Sequence, residues 1–340
     1  MKLRYSDTER QVKEFCAQIG TDHLLVQGAG GNVSWKDGDT LWIKASGTWL
    51  AHADIEDIFV PVDLSRLKLA IAEGNFSVEP RVLGEVGLKP SIETLLHAAM
   101  PHKIVVHLHA IEALAYLVRK NCFGQLSVVL RNLLNWEFVE YFKPGAELAG
   151  AVNNCLQKSK SLNVIFMKNH GLIIGGDSVS QVNLTLEQFA AVLAAPKPTP
   201  LKFATVRPNI PVDDYLPIVD PELHQLSVDP MLFSSLKTHW ALYPDHVVFL
   251  GVESFSFSSW DQFSLTIANS DIRPDLVFIE HVGVFTTNNF GKAKLAQLRC
   301  YYDVLVRQNK DDALDTLNES QILNLLNWDA ELYRQSLASK

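Results

Sequence analysis

The chain has little of what secretion, membranes or nucleic acids demand. Its 340 residues hold four cysteines, Cys16, Cys122, Cys155 and Cys300, scattered and without Cys-x-x-Cys spacing. A disulfide scaffold is therefore not expected; isolated buried thiols in a reducing cytoplasm are. No apolar run reaches the roughly 18 residues that a membrane-spanning helix needs. The start, Met1 to Asp7, lacks the apolar core of a signal peptide. Positive charge is in deficit: 30 Lys and Arg against 38 Asp and Glu give a net charge of −8, with no basic stretch. That balance argues against a nucleic-acid surface. There is no internal repeat and no low-complexity tract. What is present is an ordinary globular composition, 47% apolar and 20% charged, enough for a core of normal size. The length suits one large domain or two ordinary ones.

Local patterns give the organisation. Ser6 is placed to cap a helix over 7–19, with Val12, Phe15, Cys16 and Ile19 on one face and Gly20 at its end. Asn32 to Lys36 and Leu41 to Ala45 alternate on either side of Asp37-Gly38-Asp39, a hairpin signal. Residues 58–62 read as another strand. Ser91 is placed to cap a helix over 92–100 that Pro101 stops. There follow a strand over 103–109, helices over 111–119 and 146–157, strands over 164–168 and 172–174, and a helix over 179–194. This mixture, with hairpins early, predicts α/β layers around a largely antiparallel sheet. Pro196, Pro198, Pro200, Pro208 and Pro211 mark 196–211 as a connecting segment. It would join a first domain, 1–195, to a smaller α/β extension, 212–340. In that extension strands are expected over 247–250, 276–280 and 282–286, and long helices over 292–308 and 319–337.

Chemistry concentrates in two short patches. His107 and His109 stand in Val-Val-His-Leu-His-Ala, and His170 in Met-Lys-Asn-His-Gly, each after an apolar, β-branched run. On a strand, residues two apart point to the same side. His107 and His109 would project together, and His170 from another strand would complete a three-nitrogen metal site. Three protein ligands with an open position describe a catalytic zinc centre. A buried histidine that merely hydrogen-bonds within the core is the alternative reading. Glu93 opens the helix that leads to the first pair. A carboxylate at a helix start is electrostatically favourable in any case; beside zinc it is a candidate general base. His97, four residues on, shares its face and reads as a core residue or a partner of the site. Gly28-Ala29-Gly30-Gly31-Asn32-Val33-Ser34 offers backbone N–H groups to an anion or simply turns the chain. Ala45-Ser46-Gly47-Thr48 and Ser91 allow the same two readings.

Taken together, Gly-Gly-Asn-Val-Ser, Ala-Ser-Gly, the Pro-Ser-x-Glu-x-x-x-His helix, Val-Val-His-Leu-His-Ala and Asn-His-Gly resemble the class II aldolase/adducin family, in the same order, over about Glu9 to Leu193. Pro244-Asp245-His246-Val247-Val248, Val282-Gly283-Val284-Phe285 and the stretch Asn327 to Arg334 resemble the segment that follows the aldolase part in bifunctional aldolase/dehydrogenase proteins. The resemblance implies a three-layer class II aldolase-like domain with a C-terminal extension but no dehydrogenase. It also implies a zinc-dependent carbon–carbon lyase of the fuculose- and rhamnulose-phosphate aldolase kind. Carried over, His107, His109 and His170 would hold zinc, and Glu93 would be the acid/base. Gly31, Asn32, Ser46, Gly47 and Ser91 would hold the phosphate of a sugar phosphate cleaved through a zinc-stabilised enediolate. Family sites lie between subunits, so a homo-oligomer, with a tetramer as one form, is implied, along with a cytoplasmic location.

Three departures from the family stand out. Ile92 occupies a place where many phosphate-using members carry a second hydroxyl. The Glu93 to His107 segment is shorter. No tyrosine is assignable as the neighbouring-subunit residue that handles the aldehyde. A pentulose-phosphate epimerase or dehydratase of the same family would keep the metal site and change the reaction. An adducin-like interaction module would lack the metal site altogether.

Overall fold

Period-two alternation along the strands sorts side chains into two cores. The computed structural model describes residues 6–131, 135–159, 161–195, 214–268, 270 and 272–326. Strands β1 (Asn32–Asp37), β2 (Thr40–Lys44), β3 (Phe59–Asp63), β4 (Ile104–Leu108), β5 (Trp136–Val139), β6 (Val164–Met167) and β7 (Gly171–Gly176) form one sheet in the order β3-β2-β1-β4-β7-β6-β5. All neighbours are antiparallel except β5 and β6. Helices α1 (Asp7–Gly20), α2 (Leu64–Ala72), α3 (Thr94–Ala99), α4 (Ile111–Leu117), α5 (Cys122–Leu130), α6 (Ala146–Lys158) and α7 (Val179–Leu193) flank it. Val33, Trp35, Ile104, Val106 and Phe166 pack with α1, α4, α5 and α7. Leu41, Ile43, Val105, Ile165 and Ile173 face the other way, toward α2, α3 and α6. The expected layering around a largely antiparallel sheet is thus observed. Ser6 caps α1, its hydroxyl accepting the Glu9 N–H at 3.2 Å.

The C-terminal region adds a four-stranded sheet in the order β8-β11-β10-β9, built from β8 (Leu216–Pro217), β9 (Ser256–Phe257), β10 (Leu276–Ile279) and β11 (Gly283–Thr286). Around it lie α8 (Gln225–Val228), α9 (Pro230–Thr238), α10 (Pro244–Leu250), α11 (Trp260–Ala268), α12 (Lys292–Leu305) and α13 (Glu319–Leu326). Leu242, Val247, Leu298 and Tyr301 belong to the same buried cluster as Val106 and Leu172. The core therefore runs through both regions.

Two expectations are corrected. The strand expected over 247–250 is helix α10. Pro244 starts it, with a fixed φ suited to the first helical position, and a four-residue apolar run fits a buried helix as well as a strand. Helix α3 begins at Thr94, not residue 92, because Glu93 takes a non-helical φ/ψ of −98°/16° as its cap. Helices α2, α5, α8, α9 and α11 and strands β5, β8 and β9 were not foreseen in the sequence. The proline-rich 196–211 lies outside the described residues, as does the expected helix beyond Leu326. None of the four cysteines forms a disulfide. No helix among the described residues is long and apolar enough to cross a membrane.

One packing feature carries a pH prediction. His246 on α10 is fully buried against Trp240 and Tyr301, with ring centroids 4.3 and 4.6 Å away. Neither ring nitrogen has a hydrogen-bond partner among the described residues. Burial lowers it to about 3, and burial is also the main cause that brings His97 to about 3. Unfolded histidine titrates near pH 6.5. Between these values the unfolded chain binds protons that the folded chain does not, so stability rises with pH. It is fully present above about pH 6.5 and is lost as pH falls toward 3, by up to ~1.4 kcal/mol per pH unit for each histidine. His246→Leu is expected to reduce that slope by about one proton in denaturant titrations between about pH 4 and 6. An unchanged slope would assign the proton uptake elsewhere.

Candidate metal centre

Strand β1 pairs with β4 so that Asn32 lies opposite His107. Val33 and Trp35 fill one core, which turns Asn32 and Ser34 to the face that carries Val105 and His107. His109 follows the end of β4, two residues on from His107, and its ring returns to the same side. His107 is fully buried and its Nδ1 lies 3.0 Å from the Leu172 carbonyl. A carbonyl only accepts, so Nδ1 carries the proton and Nε2 keeps its lone pair.

His170 arrives by a shaped turn between β6 and β7. Asn169 adopts φ 51° and is held there by its amide, which donates to the carbonyls of Leu242 and Asp315 at 2.8 and 2.7 Å. Gly171 follows with φ +157°, where a Cβ would stand 2.3 Å from the Leu108 carbonyl oxygen. Only glycine lets β7 approach β4 so closely. Asn-His-Gly is therefore a mechanical unit that lifts one imidazole into the site.

The three rings converge. Nε2 of His107 and Nε2 of His109 are 3.1 Å apart, and candidate ligand atoms of His107, His109 and His170 all lie within 4.8 Å of one another. Tetrahedral zinc with Zn–N near 2.0–2.1 Å separates its nitrogens by roughly 3.3 Å. Burial lowers His107 and brings His170 to about 3, so both offer lone pairs at neutral pH. With the His107 Nε2 keeping its lone pair, the His109 Nε2 that faces it at 3.1 Å either donates a proton to it or shares a cation with it. The donor set fits a divalent metal.

Glu93 faces this trio from the cap of α3. Its Oε2 is 3.4 Å from His107 Nε2 and its Oε1 is 3.4 Å from His170 Nε2. The Asn32 amide donates to Oε2 at 2.7 Å, whereas Oε1 is buried without a hydrogen-bond partner among the described residues. Burial opposes ionisation of Glu93, whereas the His107 and His170 rings, when they carry charge, and the Asn32 amide favour it, and the balance holds the carboxyl below the usual carboxylate range. His97 is not an idle core residue: its Nε2 bonds the Asn32 side-chain oxygen and its Nδ1 bonds the Ser34 hydroxyl at 2.8 Å. It orients the amide that orients Glu93.

Beside the trio lies a cavity of about 30 Å³, lined among others by Gly31, Asn32, Lys44, Ser46, Gly47 and Ser91. The structure thus gathers every residue expected to hold an anion. One of their donors is already engaged, the Ser46 N–H donating to the Lys89 carbonyl at 2.9 Å, and the Ser91 hydroxyl already accepts the Glu93 N–H at 3.2 Å. Lys44 escaped the sequence reading. It is 2% exposed, and its ammonium donates to the Ala29 carbonyl at 3.1 Å. Alternation did not point to it: on Leu41-Trp42-Ile43-Lys44-Ala45 the lysine falls on the side opposite Leu41 and Ile43, the residues that fill the second core. Asp245 also escaped. Its carboxylate, from the C-terminal region, lies 3.3 Å from His109 Nδ1. The sequence had suggested no chemistry for that region.

Comparisons with known proteins agree in extent. Residues 10–194 match the family described as Class II Aldolase and Adducin N-terminal domain. The chain is 26% identical over 176 residues to the Bacillus subtilis protein described as uncharacterized oxidoreductase YuxG, which covers 47% of this chain and 25% of that protein. It is 27% identical over 176 residues to L-fuculose phosphate aldolase from Methanococcus maripaludis, covering 49% of this chain and 83% of that enzyme. The matched region thus spans about a quarter of the Bacillus relative's length and most of the Methanococcus one. A similar solved structure is the N-terminal class II aldolase domain of a conserved Thermoplasma acidophilum protein, at 24% identity and TM-score 0.47, over 57% of this chain and 93% of that one.

Proposed function

The chain belongs to the class II aldolase and adducin family, and on that premise we propose that it is a zinc-dependent carbon–carbon lyase acting on a sugar phosphate or a related ketose. The observation that carries the reading is the convergence of His107, His109 and His170 on the Glu93 carboxylate, 3.4 Å from two of the three rings. Three imidazoles with room for a further ligand suit catalytic zinc. When bound, such a cation supplies Lewis-acid stabilisation for negative charge developing on substrate oxygens.

The chain's own groups supply the rest. Glu93 Oε1, buried and without a hydrogen-bond partner among the described residues, takes a proton from, or returns it to, the reacting carbon. Asn32 and His97 fix the carboxylate's direction. Lys44, Ser46, Gly47 and Ser91 bring an ammonium and two hydroxyls to one pocket, a donor set suited to a phosphate, whose binding would orient the reacting end. Ile92 lines the same cavity and contributes no donor, so phosphate binding leans on Lys44. The L-fuculose phosphate aldolase similarity supports a ketose 1-phosphate as the first substrate class to test.

The test is a panel of ketose 1-phosphates and free ketoses with zinc-loaded protein. Release of dihydroxyacetone phosphate and an aldehyde from at least one substrate is expected, abolished by a chelator and restored by zinc. Metal-loaded protein that cleaves none of them would remove the lyase reading. Inversion at a carbon with no fragments released would replace it with epimerisation.

A further inference from the structure

From the C-terminal region one carboxylate reaches the histidines themselves. Asp245, in the first turn of α10, is 3% exposed. Its Oδ2 lies 3.3 Å from His109 Nδ1, the ring nitrogen opposite the Nε2 that faces His107. From α12, the buried Gln297 amide donates to the same oxygen at 3.4 Å. The glycine-rich loop makes room for the pair: a Cβ on Gly30 would stand 3.2 Å from both Asp245 Oδ2 and His109 Nδ1. Three elements distant in sequence thus close around a single histidine.

We infer that Asp245 is a positioning residue for the metal centre, holding His109 in the Nδ1–H tautomer so that Nε2 presents its lone pair to the ion. The inference rests on the proposed metal chemistry for its purpose, and on the structure alone for its geometry. His107 is oriented by a backbone carbonyl, whereas His109 is oriented by a carboxylate. A carboxylate accepting from a ligating imidazole fixes the ring and raises its basicity; removing one typically costs about 10–100-fold in metal affinity. The C-terminal region is then a working part of the centre and not merely a cover for the sheet. Asn at this position can turn its NH₂ toward Nδ1, which favours the opposite tautomer with Nε2 protonated.

The experiment compares full-length wild type with Asp245→Asn and Asp245→Glu. Zinc affinity is read by competition with a chromophoric chelator, and the His109 tautomer by ¹⁵N-edited NMR of metal-free protein. For Asp245→Asn the expected results are about 10–100-fold weaker zinc binding at unchanged stoichiometry and a shift of His109 toward Nε2–H. Asp245→Glu should recover part of the affinity. Affinity of Asp245→Asn within about twofold of wild type, or an unchanged tautomer, overturns the inference. So does a loss shared by both variants that tracks lowered thermal stability of the metal-free protein. A wild type that binds no zinc overturns the proposed function, and the tautomer measurement still decides the role of Asp245.

Discussion

His107→Ala is expected to take the protein from about one bound divalent metal per chain to essentially none, and to abolish metal-dependent turnover with it. His107 is the hinge of the trio. Its Nε2 is 3.1 Å from that of His109 and 3.4 Å from Glu93 Oε2, and its ring centroid is 4.9 Å from each of the other two rings. Removing it leaves two imidazoles, too few for a closed set of three protein ligands. It also removes the hydrogen bond that the Leu172 carbonyl receives at 3.0 Å, a net loss of about 0.5–1.5 kcal/mol. Thermal unfolding of the metal-free proteins separates that structural cost from the loss of binding. His170→Ala, which removes no such bond, should lose metal with a smaller stability penalty. Metal content in either variant equal to wild type, measured by elemental analysis after dialysis, would refute the trio as the binding site.

The trio was legible in the sequence because its causes are local. His-x-His puts two side chains on one side of an extended chain, and Asn-His-Gly encodes a turn whose φ 51° and close approach at Gly171 need those two flanking residues. The sheet was legible for the same reason: Val33, Trp35, Val105 and Ile173 alternate between cores. What stayed hidden depends on tertiary closure. Asp245 lies in a short apolar segment equally compatible with strand and helix, and its role follows only from α10 and α12 packing on the first core. His97 resembled a core residue until the Asn32–Glu93 contact gave it a second partner. Lys44 looked like the polar end of a strand, on the side opposite the buried Leu41 and Ile43. Helix α5, Cys-Phe-Gly-Gln-Leu-Ser-Val-Val-Leu, begins at Asn121 with no side-chain capping bond. Its β-branched content does not announce a helix, so packing of Leu126 and Leu130 decides it.

Glu93→Gln divides binding from chemistry. The variant keeps the shape of the side chain, and its carbonyl oxygen can still accept from the Asn32 amide that donates to Oε2 at 2.7 Å. Zinc should remain, since the three Nε2 groups are untouched. Exchange of a carbon-bound proton of dihydroxyacetone phosphate with solvent deuterium should fall about 10²–10⁴-fold, the usual worth of a positioned general base. A carboxyl held below the usual carboxylate range is a weak base for a carbon acid, and this sets a condition on the mechanism. Substrate must raise its proton affinity, which negative charge developing a few ångströms away does by disfavouring a second anion. Exchange should therefore need bound substrate and metal together. Exchange in Glu93→Gln at the wild-type rate, with zinc bound, would move the acid/base role to another residue; loss of zinc in that variant would instead make Glu93 part of the metal's own ligand set.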